Sequence, residues 1–174
     1  MSNEAAGVPG EGTPTLAAYA ARVTIGPLER MLEHAQGVRE NRETEPVHQM
    51  RVWSRRTRAA LDVFAACFPD PEYRRLAREA RRVTRALGEA RDLDVMIEAL
   101  EKRAESLPPE QQGGVLRFVE SLRDRRAALQ PRVEKAVTRF EVHDPVGRFL
   151  QIARRHGALP AEEPVLEGAR EAAS

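Results

Sequence analysis

The chain has 174 residues, 41% of them hydrophobic but only 5% aromatic, with 28 basic side chains against 27 acidic ones and a formal net charge of +1. That length suits a single domain burying about 70% of the surface its unfolded chain would expose, and the near-balance of charge excludes a polycation that adheres to anionic surfaces along its whole length. No apolar run approaches the ~18 residues that a membrane-spanning helix requires.

Leu, Ala, Glu and Arg dominate, which favours helices over strands. The expected fold class is all-α: a bundle of about four long helices plus a short C-terminal helix. Residues 1–12 are rich in Gly, lack periodicity and read as a flexible arm. Thr13 then offers an N-cap with Pro14 at the first helical position. Leu16, Tyr19, Ala20, Val23, Leu28, Leu32 and Val38 continue an apolar stripe, predicting a first helix over 14–39 with a kink at Gly26-Pro27. A turn over 41–45 follows, Pro46 sits in the first turn of the second helix, and that helix is expected to end at Phe68. Pro69-Asp70-Pro71 supplies a break, a new cap at Asp70 and a proline to start the third helix, expected over 71–106.

Leu107-Pro108-Pro109 stops the third helix. The fourth runs to about Phe140 on apolar Val115, Leu116, Val119, Leu122, Leu129, Val133 and Val137, with a bend at Pro131. His143-Asp144-Pro145 caps a short fifth helix ending near His156-Gly157. The acidic, proline-containing stretch 158–174 reads as a disordered tail, leaving 13–157 as the folded domain.

The second helix carries the most informative pattern. At ~100° per residue, His48, Arg51, Arg55 and Arg58 fall within an arc of roughly 80°, beside an apolar face of Met50, Trp53, Thr57, Leu61 and Phe64, while Arg56 points elsewhere. Surface arginines usually alternate with acids at i±4, yet only Asp62 on this helix stands near enough to neutralise the row. The third helix repeats the arrangement: Arg74, Arg78, Arg81 and Arg85 share an arc of about 60°, with Arg75 and Arg82 beside them and Leu76, Val83, Leu87, Ala90 and Ile97 on the core-facing side. Gly88 stands in mid-helix, where it costs ~1 kcal/mol relative to Ala and is best tolerated where a ligand or another helix comes close. Asp92 continues the arginine row, placed either to hold arginine rotamers or to make an ordinary intrahelical ion pair. On the fourth helix Arg117, Arg123, Arg125, Arg126, Arg132, Lys135 and Arg139 are diluted by Glu120, Asp124 and Glu134, a mostly solvated face.

Residues 48–91 hold eleven Arg against five acids, a local charge of +6 that leaves about −5 for the rest. A basic sector in a near-neutral protein implies an anionic partner bound at a defined place; a merely solvated arginine face is the plain alternative. Arg, 26 of the 28 basic residues, has the planar fork that meets phosphate or carboxylate oxygens bidentately and never loses its charge. Other chemistries lack their residues. No Gly-rich phosphate loop precedes a Lys-Ser/Thr pair, and His34, His48, His143 and His156 have no second His or Cys at metal-ligand spacing. Cys67 is expected at a helix C-terminus, where the dipole disfavours a thiolate, and His48 has no marked partner for acid–base work. No catalytic residue, metal or cofactor is assigned. The lone cysteine excludes an intrachain disulfide and no secretory segment opens the chain, so a reducing cytoplasm is expected.

Two motifs carry a resemblance to a known family. VHQMRVWSRRTRAALDVF over 47–64 resembles the signature helix of the CHAD family, the conserved histidine α-helical domain, and RALGEARDLDV over 85–95 resembles that family's second motif, in the expected order and at the expected distance. The resemblance covers about residues 14–156. It implies an all-helical fold and binding of inorganic polyphosphate through basic residues, without hydrolysis. The signature positions map to His48, Arg51, Arg55, Arg56 and Arg58, and those of the second motif to Arg85, Arg91, Asp92 and Asp94. Thr57 stands where the family usually has Leu, and Trp53 where a small residue is commoner, both on the side assigned to the core. Family members commonly contain two pseudo-symmetric bundles, each with its own His/Arg helix; this chain has one and resembles a half-length member.

The expected site is a groove in which His48, Arg51, Arg55 and Arg58 face Arg74, Arg78, Arg81 and Arg85, with Arg56, Arg82 and Arg91 contributing and Asp92 and Asp94 in support. A repeating anion presents a charge at every unit, so two arginine rows engage several at once. Two copies about a two-fold axis would restore a two-bundle architecture, and a homodimer is expected. Two other classes stay open. A metal-dependent enzyme acting on polyphosphate needs acids beside the arginines, and Asp92 and Asp94 lie ~200° apart on their helix. A nucleic-acid binder lacks interleaved exposed aromatics for base stacking. Polyphosphate storage, granule association and regulation of a partner all need the same groove.

Overall fold

The computed structural model describes residues 14–160, and every regular element within them is helical. The order is α1 (Leu16–Glu33), α2 (Ala35–Glu40), α3 (Glu45–Val63), α4 (Pro71–Glu105), α5 (Pro109–Val142) and α6 (Pro145–Arg155), with a 3-10 turn, Ala65–Cys67, after α3. The all-α bundle expected from composition is present. The arm over 1–12, the Thr13 cap and positions 161–174 of the tail lie outside the described residues.

The first helical segment differs from its expectation in three ways. It starts at Leu16, capped by Thr15, whose Oγ1 accepts from the Ala18 N–H (3.1 Å), because a hydroxyl one residue before the helix satisfies an orphan donor that Pro14 cannot. It runs unbroken through Gly26-Pro27, held by burial of Thr24, Leu28 and Met31 against the core. The break falls at His34 instead, and α2 ends at Asn41 in the left-handed conformation (φ 49°, ψ 36°) that Asn tolerates at a helix end. Within α2, Gly37 touches the start of α3: a Cβ there would lie 2.7 Å from the Pro46 ring, so only glycine permits this approach.

α4 packs against α3 on one side and α5 on the other. Leu28, Met31, Met50, Leu61, Leu76, Leu87, Val133 and Val137 meet in one core with almost no exposure, each large aliphatic stabilising the fold by ~1.5–3 kcal/mol. The apolar faces assigned to the second and third helices are those buried, with Thr57 fully and Trp53 half covered. α3 stops at Val63 rather than Phe68, because the chain tightens into the 3-10 turn and delivers Phe68 into the core. Its ring stacks on Tyr73 (5.2 Å) and meets Phe149 of α6 edge-on (5.6 Å), while the Tyr73 hydroxyl donates to the Leu61 carbonyl (2.8 Å). The Asp70 cap and Pro71 stand where expected, Asp70 Oδ1 accepting from the Glu72 N–H (2.7 Å). Ala158 is buried and Leu159 packs on the core, so the folded region extends past the limit expected at 157.

Charged contacts fasten α6 to α4. Glu79 is buried, accepts from Arg148 (2.8 Å) and faces the His143 Nδ1 (3.2 Å), while Asp70 Oδ2 accepts from Arg155 (2.8 Å). Burial pushes both carboxyls up, but the hydrogen bonds and charges of Arg148 and His143, and of Arg155 for Asp70, outweigh it and hold each below its ordinary value. A depressed folded-state pKa stabilises the fold above the unfolded value, and that stability is lost as pH falls through the folded pKa. The melting temperature is therefore expected to hold above pH 4.5 and to fall below it. Glu79→Gln is expected to melt lower at neutral pH and to lose part of the acid dependence; an acid branch unchanged in that variant would assign it to other carboxylates.

Candidate anion-binding groove

α3 and α4 approach closely enough for the Thr84 hydroxyl to reach the Ser54 carbonyl (3.4 Å), and their outer edges form the walls of a groove of about 630 Å³. α3 supplies His48, Arg51, Arg55, Arg56 and Arg58; α4 supplies Arg91, Asp92 and the apolar rim of Val95. Five guanidiniums face one carboxylate.

Asp92 does not pair along its own helix. It reaches across to Arg51 (3.5 Å), and Arg51 lies over Gly88, where an added Cβ would meet the guanidinium at 3.9 Å. That is ordinary van der Waals contact, so Gly88 leaves room without being sterically required. Arg91 donates to Glu98 (3.1 Å), which also accepts from the Thr44 hydroxyl (3.2 Å). Arg56 lies 4.6 Å over the Trp53 ring, a cation–π contact that holds its charge at the groove edge. Arg55 and Arg58 are exposed and His48 half-buried, and among the described residues none of the three has a carboxylate partner. Arg51, Arg55 and Arg58 stand one turn apart, where like charges repel by a few tenths of a kcal/mol per pair. An anion in the groove relieves that repulsion.

The arrangement is not the expected pair of rows facing across one groove. Arg74 and Arg78 project from the exposed face of α4 and line neither cavity, and Arg81 is bound to Asp62 (2.6 Å). Arg82 and Arg85 line a separate cleft between α4 and α5. The α4 row points outward because its centre lies between the two edges of α4 that meet α3 and α5. Helical arithmetic finds such a row but not the azimuth at which its helix is packed. Arg91, expected only from the family resemblance, is the α4 arginine that completes the groove.

Asp94, also expected in support, lies elsewhere. It is buried and accepts from Arg126 Nε (2.8 Å) of α5, and Arg126, itself 8% exposed, donates further to Gln130 (3.1 Å) and Asn41 (3.1 Å). Gln130 in turn donates to the Val38 carbonyl (2.9 Å), tying α4, α5 and the end of α2 together. The solvated face expected for the fourth helix is therefore corrected at Arg126. Burial raises the Asp94 pKa in spite of the opposing Arg126 charge, and its Oδ2 has no hydrogen-bond partner. No local pattern marks this network, since Arg126 sits in an ordinary arginine-rich run and, apart from Gln130 one turn on, its partners Asp94 and Asn41 come from distant segments.

Among the described residues no three His, Cys, Asp or Glu side chains converge to hold a metal, and no helix is long and apolar enough to cross a membrane. The fold and groove define an all-helical domain with a histidine- and arginine-bearing helix set against a second basic helix. The family model described as the CHAD domain matches residues 26–174, nearly the whole chain, and the protein belongs to that family. No curated protein and no solved structure matches it.

Proposed function

We propose that this protein is a non-enzymatic module that binds inorganic polyphosphate in the α3–α4 groove. One observation carries the reading: five guanidiniums and His48 line a single open cavity with Asp92 as its one carboxylate. Membership of the CHAD family supports the choice of polyphosphate among anions. Arg55 and Arg58 are free to fork onto phosphate oxygens, Arg51 and Arg91 are pre-oriented by Asp92 and Glu98, and the outward Arg74 and Arg78 add a steering field. The log of the affinity for long-chain polyphosphate is expected to fall with the log of salt concentration by roughly 0.7–0.9 per phosphate neutralised, by analogy with nucleic acids. A salt-insensitive affinity, or none, would sink the proposal.

An enzymatic reading needs carboxylates gathered beside the phosphate, but Asp92 is engaged with Arg51 and Asp94 with Arg126 in the core. No phosphate release is expected with magnesium or manganese. Polyphosphate is expected to outcompete RNA and DNA at matched salt, for want of stacking aromatics. In cells a fluorescent fusion is expected in the cytoplasm with polyphosphate granules.

The same reading extends to assembly. Val95, 48% exposed, rims the groove and Met96, 46% exposed, follows it on α4, and a second copy covering this apolar pair about a two-fold axis would line up two grooves. Light scattering is expected to give a dimer, further stabilised by polyphosphate that binds both subunits. A strict monomer with and without polyphosphate, still binding tightly, would mean that one bundle suffices.

A further inference from the structure

On the side of α4 away from the groove, a second cleft of about 250 Å³ opens against α5. Arg82 and Arg85 line it from α4, and Arg132, Lys135 and Arg139 from α5. The carboxylates nearby are already committed. Glu79 is held by Arg148 (2.8 Å) and His143 (3.2 Å), and Glu89 accepts from Arg132 (2.7 Å). That leaves Arg82, Arg85, Lys135 and Arg139 without a carboxylate partner among the described residues.

The charges are also spaced unfavourably. Arg82 and Arg85 stand one turn apart on one wall, Lys135 and Arg139 one turn apart on the other, so like charges repel along both helices. An idle surface would leave its acids to these cations, as on α5, where Glu120 stands one turn from Arg123 and pairs with it; here Glu79, which also lines the cleft, and Glu89 stand one turn from Arg82 and Arg85 but are spent on other partners. The walls are two long helices packed along much of their length, which fixes the spacing of the cations before any ligand arrives. A space this small falls short of the usual 300–1,000 Å³ of drug-sized ligands and suits one or two phosphate units gripped from opposite walls.

We infer that the α4–α5 cleft is a second anion site, taking a phosphate or phosphoanhydride group on Arg82, Arg85, Lys135 and Arg139. It is separate from the α3–α4 groove and does not require that groove to be occupied. The group comes either from a free diphosphate or from a polyphosphate chain that leaves the groove and crosses the outward arginines of α4.

Calorimetry on the full chain tests this with two probes, pyrophosphate and long-chain polyphosphate, on the wild type, Lys135→Gln/Arg139→Gln and Arg55→Gln/Arg58→Gln. Lys135 and Arg139 are exposed, so the cleft variant should keep the wild-type melting temperature; Arg82→Gln/Arg85→Gln on the opposite wall gives a second reading. Pyrophosphate binding is expected to weaken at least tenfold in both cleft variants and to survive in Arg55→Gln/Arg58→Gln. A parallel loss for the long chain, with its salt slope reduced by about 2, identifies a chain spanning both sites. A long-chain affinity unaltered while pyrophosphate binding is lost identifies a free small anion as occupant. Pyrophosphate affinity within twofold of wild type in both cleft variants overturns the inference. Loss of long-chain binding in the cleft variants alone would instead overturn the groove reading and leave this one standing.

Discussion

Replacing Arg51, Arg55 and Arg58 together by Gln is expected to weaken long-chain polyphosphate binding about 10³-fold. The figure follows from about 1.5 kcal/mol per charge-assisted hydrogen bond, the low end for partly exposed groups, and a factor of ten per 1.4 kcal/mol. The salt slope should flatten by roughly 2–3, which separates lost phosphate contacts from general damage. Circular dichroism should be unchanged, because Arg55 and Arg58 are exposed and Arg51, among the described residues, pairs only with exposed Asp92. A triple variant that binds within tenfold of wild type would move the site off α3.

Arg126→Met is expected to destabilise the fold by about 3 kcal/mol, lowering the melting temperature by roughly 6–12 °C. The loss leaves the Asp94 carboxylate buried without its paired guanidinium and strips Gln130 and Asn41 of a donor. Burial already raises the Asp94 pKa above its unfolded value of 3.8. A raised carboxyl gives its stability below the unfolded pKa and loses it as pH rises through the folded one, so the defect of Arg126→Met should be largest near neutral pH and shrink in acid. Adding Asp94→Asn should restore much of the loss by removing the charge. A defect independent of pH and untouched by Asp94→Asn would mean that Arg126 contributes by packing alone. Polyphosphate affinity of the folded fraction should stay at wild type, because neither residue lines the groove.

These two variants divide the arginines in a way no local pattern could. Arg126 and Arg55 are each flanked by another arginine on a long helix, yet one is buried in a hydrogen-bonded network and the other is free at a groove. What separates them is the position of partners more than thirty residues away along the chain. Asp94 and Asp92 show the same thing at closer range: two residues apart, they leave α4 on opposite sides, one toward the α5 core and one toward Arg51.

The sequence by itself determined that the chain is helical, that Asp70-Pro71 and Asp144-Pro145 start helices, and that His48, Arg51, Arg55 and Arg58 form one row. Each of these is settled within a few turns, by capping chemistry or by the angle between successive residues. Only the tertiary structure decided what the row faces. The azimuth of α4 depends on how Leu76, Leu87 and the other buried side chains fill a core shared with α1, α3, α5 and α6. A rotation set by that packing turned Arg91 toward α3, left Arg74 and Arg78 in solvent, and placed Arg82 and Arg85 against α5.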